Sequence, residues 1–114
     1  MAKLPDEILT TIFSLQRQIA IGIHEASAAE WALLEQHGET EATIPELEEL
    51  QKARERLTAP YTRLHTLLLR ILEFQPLAST AMLVLLDQTM EQAQAAVDAA
   101  QASVREIKRN WHLL

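Results

Sequence analysis

Apolar positions recur every three or four residues through almost the whole chain. In the middle stretch, residues 44–74, they run Leu47, Leu50, Leu57, Tyr61, Leu64, Leu68, Ile71. That spacing gathers one face of an α-helix against partner helices. One slot of this seam, between Leu50 and Leu57, falls at Arg54. Pro60 lies inside the run, where proline ordinarily breaks a helix, yet Leu57, Tyr61 and Leu64 keep their phase across it. The pattern therefore predicts one long kinked helix and not two short ones.

The same period organises the flanks. Residues 5–37 form a seam of Ile8, Ile12, Leu15, Ile19, Gly22, Ala26, Ala29 and Leu33, widened by Leu9, Phe13, Ile23 and Leu34. Pro5 suits the first turn of this helix, where Asp6 and Glu7 face the positive end of its dipole. Gly38 is a natural stop. Thr43-Ile44-Pro45-Glu46 fits a capping box that starts the second helix. Pro76 ends it, because proline disfavours helix in the residue before it. A third helix over 77–111 has the seam Leu86, Met90, Ala93, Val97, Ala100, Val104, Ile107, Trp111, with Arg105, Lys108 and Arg109 at its negative end.

Three helices of about 30 residues joined by short links must run antiparallel to their neighbours. The predicted fold is all-α: one domain spanning residues 1–114, an elongated up-down-up three-helix bundle whose middle helix is kinked at a proline. Folding the helices back on one another places Gly22 near Ala59 and Pro60, and Arg54 within reach of Glu25, Glu30 and Asp98. Trp31, Ile44, Leu47 and Trp111 gather at one end. Ile8, Phe13, Leu72, Phe74 and Met82 gather at the other.

Composition agrees with this picture. Apolar residues make up 48% of the 114, enough for a packed core, and aromatics only 4%. Cysteine is absent, which excludes disulfides and thiolate chemistry. The formal charge is −6, and an acidic surface repels nucleic acid and anionic lipid, so no nucleic-acid partner is expected. The most apolar window, 67–86, holds Arg70, Glu73, Gln75 and Pro76, so no membrane span is expected. The first residues, MAKLPDEILTTIF, do not read as a signal peptide, since acids interrupt them early. A cytoplasmic protein is the expectation.

Candidate chemistry is sparse. None of the histidines (His24, His37, His65, His112) has the Glu three residues before it that metal-binding bundles use. His24-Glu25 begins like a zinc-protease motif, but Ala28 stands where the second His belongs. No phosphate-binding glycine loop or Ser-His-Asp set can be assigned. No cofactor, metal or catalytic residue is predicted, and the chain reads as a non-enzyme. Gly22, Arg54, Pro60 and Tyr61 are structural irregularities: a close helix approach, a paired or snorkelling arginine, and a tolerated bend or hinge.

Excess apolar residues point to binding. Leu67, Leu68 and Leu72, with Leu83, Val84 and Leu86, exceed one helical face where the second helix hands over to the third. They predict contact with a protein partner or with the chain itself, most simply as a homodimer. The alternative is a regulatory or peripheral module in which Trp31, Arg105, Lys108, Arg109 and Trp111 bind peptide, nucleic acid or membrane.

Three resemblances stand beside these readings. Residues 4–15, LPDEILTTIFSL, look like the opening of an F-box, but the chain continues straight through 16–35 where an F-box turns. The length and heptad pattern are similar to a spectrin-type three-helix repeat, in shape only, because Trp31 lies too far along the first helix for that family's tryptophan. Residues 57–65, LTAPYTRLH, resemble small helical proteins of cyanobacteria, a group that implies no activity and transfers no site residue.

Overall fold

A computed structural model of the chain describes residues 4–74 and 79–113. Three helices account for nearly all of them: α1 (Asp6–His37), α2 (Ile44–Glu73) and α3 (Thr80–Asn110). All three pairs pack together, in a rod of 57 × 20 × 17 Å. Cross-helix contacts fix the directions. Glu30 meets Arg54 while Gly22 lies against Leu57, and Glu46 meets Trp111 while Arg63 meets Gln92, so α2 opposes both neighbours. Gln18 meets Gln94 and His37 meets Trp111, so α3 runs parallel to α1. This is the predicted bundle.

The core follows the predicted seams with local changes. On α1 it is Ile12, Leu15, Ile19, Gly22, Ala26, Ala29 and Leu33. On α2, Ala53 and not Arg54 fills the slot between Leu50 and Leu57. A step of three serves the seam as well as a step of four, and the smaller, uncharged side chain goes inside. Tyr61 is likewise turned outward, and Leu67 joins Leu68 in the core because α2 faces two partners. On α3, Thr89 is buried in place of Met90; its hydroxyl donates to the Leu85 carbonyl at 2.8 Å, so no hydrogen-bonding group is stranded.

The helix ends are set by local chemistry. Gly38 stops α1 at φ +71°, with its N–H on the Leu34 carbonyl. The capping box predicted at Thr43 does not form. The Thr43 hydroxyl instead donates to the Gly38 carbonyl at 2.8 Å and accepts from the Thr40 N–H at 2.7 Å. Thr43 is buried, and a turn over 41–43 leads directly into α2, so its backbone is already helical when α2 begins. Ser79 caps α3 by accepting from the Met82 N–H; Pro76, predicted to end α2, and the predicted first residues of α3, 77 and 78, lie outside the described residues.

The C-terminus of α3 closes in a Schellman motif. The Leu113 N–H reaches the Lys108 carbonyl at 2.8 Å and the His112 N–H reaches Arg109 at 3.4 Å. His112 takes the left-handed position at φ 53°, where glycine is usual. Leu113 is thereby folded into the core beside Leu33, Leu50 and Ile107.

Candidate interaction surface

The predicted irregularities resolve into packing. Gly22 is buried, and a Cβ there would lie 2.8 Å from Leu57 Cδ1, so glycine leaves the room that the Leu57 side chain fills. The contact is Leu57, one turn from the Ala59 and Pro60 expected. α2 runs unbroken through Pro60, which is half-buried. Arg54 pairs with Glu30 at 2.7 Å, with 36% and 19% of the two side chains exposed. It sits at the rim of the α1–α2 seam, not within it, and Asp98 is engaged by Gln94 instead.

The leucine-rich hand-over is mostly core. Leu67, Leu68 and Leu86 are buried, and Leu83 is half-buried against them. The three buried leucines therefore leave little surface for a partner. Of the six residues predicted there, only Leu72 and Val84 face solvent. Consecutive leucines on α2 and α3 are accommodated by two-sided packing.

The tryptophan-and-basic end also divides. Trp111 turns inward: its indole N–H donates to Glu46 at 3.2 Å, and its ring meets His37 edge-on at 5.0 Å, tying all three helices together. Lys108 is half-buried, and Arg105 and Arg109 are exposed on α3. Trp31 is not with them. It stands on α1 with 68% of its surface exposed.

Trp31 belongs to a surface that the sequence reading missed. Among the described residues, the large apolar side chains left exposed on α1 are Phe13, Ile21, Trp31 and Leu34. Those on α2 are Ile44, Tyr61, Leu69 and Leu72, and only Phe74, Val84 and Leu85 lie beyond these. Phe13 and Trp31 are 18 residues apart, five full helical turns at about 100° per residue, so they project in one direction. Leu72 is likewise 18 residues from Arg54, whose bond to Glu30 marks the α1 side of α2. Leu34 and Ile44 line one shallow groove between α1 and α2, with Leu47 and Glu30. Tyr61 stacks on His65, centroids 6.4 Å apart, on the same stripe as Leu72. One long side of the rod, spanning α1 and the adjoining edge of α2, therefore carries most of the exposed apolar area. The signal available in the sequence was the 18-residue spacing of two aromatics outside the core seam.

A groove of about 470 Å³ between α1 and α3 is lined by Thr10, Thr11, Ser14, Gln18, Asp87, Glu91 and Gln94 beside the apolar Leu15 and Met90, without a histidine. Among the described residues no three His, Asp or Glu side chains come together as a metal site would need, and no helix is long and apolar enough to cross a membrane.

No family model, curated protein or solved structure matches the chain.

Proposed function

We propose that the chain is a non-enzymatic helical protein–protein interaction module, an adaptor or assembly factor that works by docking. Its contact surface is the α1–α2 side of the rod. One observation carries this reading: the exposed large apolar residues concentrate on one side, where scattered exposure would need no explanation. Exposed aromatics on rigid helices suit the task, since Trp and Tyr contribute much contact area at little entropic cost. The hand-over residues Leu72 and Val84 remain available to a partner. A cytoplasmic setting and the capacity to self-associate are part of the same proposal.

Affinity capture from the native cell tests it, using the wild-type chain and a Leu72→Lys, Tyr61→Glu variant of matching circular dichroism. The reading predicts proteins recovered with the wild type, a differently tagged copy of the chain among them, and lost with the variant. Equal recovery by both, or nothing specific with either, overturns it.

A further inference from the structure

We infer that the α1–α2 side binds a second copy of this chain, antiparallel, about a two-fold axis at the level of Gly22. The inference rests on the reading above and names the occupant of that surface.

The argument begins with self-complementarity. Phe13 and Trp31 lie nine residues either side of Gly22 and point the same way. The Glu30–Arg54 and Gly22–Leu57 contacts set the α1–α2 register. In that register Leu69 is level with Phe13, and Leu72 with Leu9, to within a turn. Each rod thus presents an apolar cluster toward one end, Phe13 with Leu69 and Leu72, and another toward the other end, Trp31 with Leu34 and Ile44. A two-fold axis at Gly22 lays each cluster on the opposite cluster of the partner. Between them the α1 stripe passes through Arg17, Ala20, His24 and Ala28, and exposed alanines let helices approach closely.

Charge selects the antiparallel arrangement. Residues 8–24 of α1 contain no carboxylate in a chain that has 16. Parallel pairing would set Arg17 against Arg17 and His24 against His24. The two halves of the rod also differ. Residues 22–59 and 98–113 carry eleven Asp and Glu against six Lys and Arg, a net −5, while the other described residues carry five against three, a net −2. Antiparallel pairing puts the more acidic half of each copy beside the less acidic half of the other, which lowers the repulsion between them. Arg17, one turn from Phe13, then comes beside the partner copy's indole from position 31, where a cation–π contact can form.

The size of the surface sets the expected strength. A strip about 40 Å long and about 15 Å wide buries roughly 600 Å² per copy, at the lower limit for a specific interface. The dimer is accordingly expected at micromolar concentration.

A charge swap tests the arrangement, because Phe13 of one copy meets Trp31 of the other. Phe13→Glu and Trp31→Lys change exposed residues, so both variants should fold, and circular dichroism checks this. Light scattering should give the wild type twice the 12.9 kDa chain mass. Each variant alone should weaken the dimer on the order of tenfold or more. Mixing them in equal amounts should restore it, since one Lys–Glu contact and one Trp–Phe contact then form. Folded variants that remain dimeric alone, or a mixture that stays monomeric, overturn the arrangement. A wild type that is monomeric at millimolar concentration, while Leu72→Lys with Tyr61→Glu still abolishes capture of other proteins, overturns the second copy and leaves the interaction reading standing.

Discussion

Gly22 offers a quantitative test of how closely α1 and α2 pack. In an open helix, Gly→Ala stabilises by about 1 kcal/mol, because alanine restricts the unfolded backbone and glycine does not. Here the added Cβ falls 2.8 Å from Leu57 Cδ1, against an ordinary contact of 3.4 Å or more. The atom met is the end of a flexible side chain, but Leu57 is fully buried, so turning it aside disturbs the side chains it packs on. Overpacking of this kind costs about 1–3 kcal/mol. The clash outweighs the propensity gain, and Gly22→Ala should destabilise by about 1 kcal/mol net. Gly22→Leu, with three further carbons to place, should cost more than about 3 kcal/mol. Denaturant unfolding followed by helical circular dichroism measures both. A double-mutant cycle sharpens the test. Leu57→Ala alone should cost about 2–5 kcal/mol. In that background the obstacle is gone, and Gly22→Ala should become stabilising by about 1 kcal/mol. A Gly22→Ala protein more stable than the parent, or the same effect in both backgrounds, would refute the claim that glycine is there to admit Leu57.

Three further outcomes follow from the same structure. Thr43→Val removes the hydroxyl that bridges Gly38 and Thr40 and should cost about 1–3 kcal/mol by denaturant unfolding, whereas a neutral result would mean the linker does not depend on it. His112→Gly relieves the left-handed position of the Schellman motif and should raise stability by about 1 kcal/mol, seen as a higher melting temperature. Arg54→Ala should cost less than about 1 kcal/mol, because its partner is reached at the rim of the seam where water screens the pair; a loss above about 3 kcal/mol would mean that the arginine is buried after all.

The fold was legible because the heptad period is continuous and the stops are few. Gly38 acts where its chemistry says it should, and three long seams admit little besides a bundle. Single slots were less legible. Ala53 and Arg54 both fit a three-four seam, as do Thr89 and Met90, and only the geometry of two partners decides which is inside. The Thr43 capping box failed because backbone groups of the linker, the Thr40 N–H and the Gly38 carbonyl, take up the hydroxyl. The surface was the least legible part. Leu67, Leu68 and Leu86 drew attention as a dense cluster, yet density along the chain reflects burial between two neighbours. Phe13 and Trp31 are isolated in sequence and become one surface only when five helical turns align them.

The central claim is that the face bearing Trp31 is covered by another protein surface, a second copy of the chain. Trp31 reports this itself once Trp111→Phe leaves it the sole tryptophan. Its emission and its quenching by iodide can be followed from about 1 μM to about 100 μM, the range that a small interface occupies. The account predicts a shift to shorter wavelength and progressive protection from iodide as concentration rises. An emission that stays at the wavelength of exposed indole, equally quenched throughout, would contradict it.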